Sequence, residues 1–180
     1  MSLSSAAVAQ AAELPSLGLL PPPALAHRSV VIVAAGGRDL VWPQERIASA
    51  LLQRSGGRPV HLVLHGGARG ADRAIGRAAQ QLGWRVQALA ADWRRHGRAA
   101  GPIRNRELLQ QAIARAEAHT SPGCLASVLV VAFPGGSGTA SLVQQARRMA
   151  SRSPVPIAVV EVSPSAGLWA VPSPELPPGA

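Results

Sequence analysis

Apolar residues in this chain come in short continuous runs separated by amphipathic stretches. Ser29 to Ala35, Pro59 to Leu64, Arg85 to Ala91, Val128 to Phe133 and Pro156 to Val162 read as strands. Between them, Gln44 to Gln53, Ala71 to Leu82, Ile103 to Ala118 and the stretch after Thr139 read as helices. In the last of these, Ala140, Val143, Ala146 and Met149 recur every third residue. Runs that are apolar throughout indicate strands buried on both faces. Their alternation with helices predicts an α/β fold, a single doubly wound parallel sheet of about five strands with helices on both faces. Such sheets bind ligands at the carboxyl ends of their strands, near the switch in strand order.

Prolines bracket this pattern. Residues 1–27 form an Ala/Pro-rich leader ending near Pro21-Pro22-Pro23, and residues 163–180 a Pro-rich tail. Proline lacks a backbone donor, so neither end suits sheet core. The expected division is a flexible N-terminal extension (1–27), one domain (28–162) and a C-terminal tail (163–180). The leader has no early basic residue, and Glu13 and Pro15 interrupt its apolar stretch, unlike a signal peptide. No apolar run reaches membrane-spanning length.

Composition sharpens this picture. The chain has 180 residues, 47% of them hydrophobic, enough for one domain with a real core. Net charge is +9, and every basic residue is Arg. An Arg excess follows from GC-rich coding, but it also attracts anionic partners: nucleotides, nucleic acid or acidic surfaces. One cysteine, Cys124, rules out an intramolecular disulfide framework and suits a reducing cytoplasm. It is placed just before a strand, as inert packing.

The candidate chemistry lies at the strand ends. Three strands end in glycine pairs: AAGGRD (Ala34 to Asp39), HGGARGAD (His65 to Asp72) and FPGGSGTA (Phe133 to Ala140). A glycine turn entering a helix exposes unpaired N–H groups to the positive end of the helix dipole, which favours an anion. Asp72 either caps its helix, hydrogen-bonds a ribose or orients a water. Arg69, Arg73 and Arg77 form a solvent-facing stripe, with Arg69 in the turn. ADWRRHGRAAGPIRNRELL (Ala91 to Leu109) is read as a basic loop, broken at Gly97 and Gly101-Pro102. It leads into a helix whose start presents Arg104 and Asn105. Trp93 and Phe133 serve core or rim packing or contact one base.

Other chemistries fit less well. The first turn, Gly36-Gly37-Arg38, lacks the G-x-G-x-x-G of nicotinamide dehydrogenases, and His65 stands where an acid would follow the second strand. Around Ser137 the last glycine of a nucleophile elbow is missing, and a P-loop needs a Lys. His61 and His65 are ~13 Å apart along one strand, and His27 and His119 have no His or acidic neighbour at ligand spacing. The histidines are read as surface or structural residues, and no metal site is expected.

Taken in order, HGGARGAD, ADW with HGRAAGPIRN, and AFPGGSGTA resemble the YspA-related branch of the SLOG superfamily. That superfamily also contains the DprA proteins and the LOG phosphoribohydrolases. The resemblance spans about Val30 to Val160. It implies a Rossmann-like, cytoplasmic protein that binds a nucleotide or nucleotide-derived ligand, with a sensor role among those it implies, without a required cofactor. The implied ligand-facing residues are Gly36, Gly37, Arg38, Gly66, Gly67, Arg69, Gly70, Asp72, Arg104, Asn105, Gly135, Gly136, Ser137, Gly138 and Thr139. Two further functions are implied: N-glycosidic hydrolysis of a nucleotide, with Asp72 and Arg104 as catalytic residues, and DprA-like DNA binding. Leu142 stands where LOG enzymes carry a Glu that supports the cationic sugar, leaving Asp72 as its substitute. Subunits of the superfamily often pair, so a homodimer is implied as well.

Overall fold

A computed structural model describes residues 27–164, so most of the leader and tail lies outside the described residues. The elements, in chain order, are β1 (His27–Ala35), α1 (Gln44–Ser55), β2 (Val60–His65), α2 (Ala71–Gln81) and β3 (Val86–Ala88). Then come α3 (Trp93–His96), a 3-10 turn (Gly97–Ala99), α4 (Ala100–Ala118), β4 (Cys124–Ala132), α5 (Ser137–Ala150) and β5 (Ile157–Glu161). The five strands form one parallel sheet in the order β3-β2-β1-β4-β5.

Side chains alternate across the central strands because successive residues point to opposite faces. Val30, Ile32 and Ala34 of β1 join a core with Ile47 and Leu51 of α1 and Ala71, Ile75 and Ala78 of α2. Val31 and Val33 join a second core with Leu108, Leu109 and Ala112 of α4 and Leu142 and Ala146 of α5. The uninterrupted apolar runs seen in the sequence are thus strands sandwiched between two helical layers. Burying side chains such as Ile32 and Leu129 is worth about 1.5–3 kcal/mol each.

The order reverses between β1 and β4, which pair along their whole lengths from His27↔Cys124 to Ala35↔Ala132. The chain leaves β1 toward β2 and leaves β4 toward β5, so loops diverge from this seam and open a crevice at its carboxyl end. The first and third glycine turns meet there.

Several elements differ from the sequence reading. The basic stretch is not all loop: Trp93–His96 makes one α-helical turn, started by Asp92, whose carboxylate accepts from the Arg95 N–H at 3.0 Å. Gly97, at φ +49°, ends it. Next, α4 begins at Ala100, ahead of the expected Ile103; it takes in Gly101, and Pro102 lies in its first turn, where the sequence places it. Helix-start N–H groups have no intrahelical partner, so a proline in the first turn sacrifices no bond. Last, β3 is shorter than Arg85 to Ala91 because it is the sheet edge, paired only to β2. Cys124 opens β4 rather than preceding it, half-buried with its Sγ 4.0 Å from the Ser29 Oγ. No helix among the described residues is long and apolar enough to cross a membrane.

Candidate functional site

Adjacent strands bring the glycine turns to one edge. The Gly37 N–H donates to the Pro134 carbonyl at 2.8 Å, tying the turn after β1 to the turn after β4. The Ala71 N–H donates to the Gly37 carbonyl at 3.0 Å, tying the start of α2 to the same point. Three segments crowd around Gly36: a Cβ there would lie 2.7 Å from the Ala71 Cβ and 2.9 Å from the Phe133 Cβ. Gly70 has φ +75° and lies against the Arg38 backbone, so a side chain is excluded on both counts. Phe133 is core, edge-on to Trp42 at 6.0 Å between ring centres.

A buried polar cluster lies behind the turns. Asp72, 4% exposed, sits in the first turn of α2. It does not cap that helix, since Gly70 holds the N-cap position. Its Oδ2 instead accepts from the Ala68 N–H at 3.2 Å and stands 3.9 Å from Arg104 Nη1. Burial pushes the Asp72 carboxyl above its ordinary pKa, against the Ala68 N–H, Arg104, His65 and the Gly66 N–H, which all favour the anion. Burial likewise lowers the Arg104 pKa, opposed by Asp72.

The Arg104 guanidinium packs against Gly66, where even a Cβ would collide with it. Its Nε donates to the Asn105 Oδ1 at 3.1 Å, while Nη1 is buried with no hydrogen-bond partner. Asn105, 3% exposed, passes the connection on: its Nδ2 donates to the Gly138 carbonyl at 3.0 Å. The Asn105 amide is therefore engaged within the protein, fastening α4 to the first turn of α5, and does not present itself to a ligand as expected.

The remaining expected residues divide. Gly135, Gly136, Ser137 and Gly138 are exposed, and the space around Gly136 and Gly138 is open, which suits close approach of a ligand to the start of α5. Thr139 is buried beneath Gly135, with its Oγ1 turned to that residue, so it supports the turn from below. Gly67 and Arg69 are exposed in the second turn, and Arg73 and Arg77 are exposed on α2 as expected. Arg38 is exposed, its guanidinium 5.7 Å from the ring of Trp93, itself 51% exposed. This pair makes a cationic, aromatic rim on the site. The site is an open edge; cavities of about 440 and 470 Å³ lie elsewhere, along α5 and beside β2 and β3.

His65 is structural, as its class was read, but with a defined task. Its Nδ1 accepts from the Gly67 N–H at 3.0 Å, which folds the second turn back onto β2. Gly76 of α2 makes room for the ring: a Cβ there would lie 2.9 Å from His65 Nε2. Burial lowers the His65 pKa, Asp72 raises it and Arg104 lowers it, so the acceptor form is favoured. The sequence signal was a histidine immediately before a glycine pair at a strand end.

Residues 30–96, from the core of β1 through α3, match the model of the YspA, cpYpsA-related SLOG family. Over this span the chain is similar to YspA-related SLOG proteins. The match includes two of the three glycine turns; the third and Arg104 lie beyond it, joined to it by the contacts just described. Comparison with curated proteins and with solved structures returned no match.

Leu142, where the resemblance to LOG enzymes places a glutamate, adds a physical constraint. Leu142 is fully buried, packed in the core shared by β4, α4 and α5. A carboxylate there would be desolvated among apolar side chains.

Proposed function

We propose that this protein binds a nucleotide or nucleotide-derived ligand across the seam between β1 and β4. The reading rests chiefly on one observation: the buried Arg104 Nη1, with no hydrogen-bond partner, beside three joined glycine turns. A buried cationic donor without an acceptor is costly, and a phosphate oxygen satisfies it with a strong, charge-assisted bond. The exposed N-terminus of α5 supplies further N–H donors and a favourable dipole. Arg38 and Arg69 neutralise charge from the rim, and Trp93 offers a face to a base. The match of residues 30–96 to the SLOG family is compatible with such a ligand.

Native mass spectrometry of the purified full chain reads any co-purified ligand. Thermal shift with nucleoside monophosphates and NAD reads added ones; a ligand at one hundred times its Kd stabilises by about 2.7 kcal/mol. DNA binding that falls steeply with salt, without a shift from any nucleotide, overturns the proposal in favour of a DNA-binding role.

Hydrolysis of an N-glycosidic bond is a second reading, favoured by the raised pKa of the Asp72 carboxyl beside Arg104. An acid shifted in this way can exchange a proton with a leaving base or a water. Incubation with nucleoside monophosphates followed by chromatography tests it: free base, lost in Asp72→Asn, supports hydrolysis, and intact nucleotide supports binding alone.

A further inference from the structure

A second cluster of cationic groups lies at the opposite end of the sheet. His61, near the start of β2, stacks on His119, the residue that ends α4, with ring centres 4.0 Å apart and planes 2° from parallel. No sequence spacing suggested this pair, because α4 runs back along the sheet and delivers its last residue to the amino edge. The rings line a cavity of about 470 Å³ together with Arg85, Gln87 and Arg115. That volume falls in the range of small-molecule sites.

The charged groups facing His61 are Arg85, at the entry to β3, and Arg115 and His119, from α4. No carboxylate is among the residues lining the cavity. His61 Nε2 is shielded from solvent and has no hydrogen-bond partner. Burial, His119 and Arg85 all lower the His61 pKa. A charged His61 ring stacked at this distance meets the neighbouring ring and two arginines with no carboxylate to offset them, so the protein alone disfavours charge on His61. An oxyanion reverses that balance by supplying negative charge to both rings and acceptors to both guanidinium forks.

We propose that this cavity is a second binding site, for the phosphoryl group of a small ligand, and that filling it draws a proton onto His61. It stands apart from the glycine turns: His61 is four residues, or ~13 Å, from His65 along β2. It therefore holds or fails independently of nucleotide binding there. By linkage, if the ligand favours protonated histidine, protonation favours the ligand by the same factor, and acidification strengthens binding.

The test is an NMR titration of the histidine Cε1–H signals in the full chain, with pyrophosphate as probe. The chain has five histidines, and His61→Gln and His119→Gln variants assign the pair. Pyrophosphate is expected to raise the titration midpoint of His61 by about one pH unit, and to bind severalfold more tightly at about pH 6 than at about pH 8, about tenfold being the limit that a one-unit shift sets. Arg85 and Arg115 are exposed, so Arg85→Gln with Arg115→Gln should fold normally and abolish the shift, whereas Gly136→Glu should retain it. An unmoved midpoint in the wild-type chain overturns the proposal. So does a shift that survives loss of both arginines, or one that disappears with Gly136→Glu, which would assign the effect to the glycine turns.

Discussion

Gly66 keeps Arg104 where it is. The guanidinium occupies the volume that any larger residue at position 66 would need. The obstructed group is the far end of a flexible side chain, so Gly66→Ala is expected to fold with Arg104 displaced toward solvent. If Arg104 holds a phosphate, nucleotide affinity then falls on the order of tenfold or more, the loss of about one charge-assisted hydrogen bond. Isothermal titration of the variant checks this, and unchanged affinity removes Arg104 from the binding site. Arg38 and Arg69 carry the same charge but are exposed, so either substitution should cost less.

At the scale of elements, Asn105 of α4 reaches Gly138 in the first turn of α5, 33 residues further along the chain. Its amide spans Arg104 and the Gly138 carbonyl, and it is buried. Asn105→Ala leaves the Gly138 carbonyl and the Arg104 Nε without these partners. The expected cost is about 1–3 kcal/mol in denaturant unfolding, accompanied by weaker nucleotide binding as the first turn of α5 loosens. Gly136→Glu separates the two effects. Open space surrounds Gly136, and it has an ordinary extended conformation at φ −94°. That variant should retain stability within about 0.5 kcal/mol while its carboxylate repels an anion from the helix start. Nucleotide binding lost without a change in the unfolding midpoint identifies the turn as the phosphate contact; retained binding excludes it.

Across the whole molecule, the histidines couple stability to pH. Burial lowers the pKa of His65 and of His61 below 6.5, so the folded chain binds fewer protons than the unfolded chain in that range. Stability from these groups is therefore present above about pH 6.5 and lost as pH falls through that value toward their folded pKa values. The net charge of +9 grows over the same interval, and self-repulsion acts in the same direction. Tm should fall on acidification from about pH 7 to pH 5.5, chiefly through the more buried His65. His65→Gln, which can still accept from the Gly67 N–H, should flatten that slope; an unchanged slope assigns the loss to other groups.

The alternation of apolar runs with amphipathic stretches was sufficient to find all five strands and the long helices, because the central strands β1 and β4, buried on both faces, are apolar through most of their length and the outer strands keep shorter apolar runs. The glycine turns were legible for a similar reason: at Gly36 and Gly70 the backbone tolerates no side chain, so residue type records geometry directly. Partnership was not legible. Asn105 looked like a ligand contact and is a fastener between helices; Asp72, readable as a cap, a ribose contact or an orienter of water, is a buried counter-charge to Arg104. His61 and His119 looked isolated and are stacked. Local sequence records the backbone needs of a turn or strand, because neighbours along the chain decide them. Which polar groups meet, and what burial does to their charge, depends on strand order and helix return, and only the folded chain decides those.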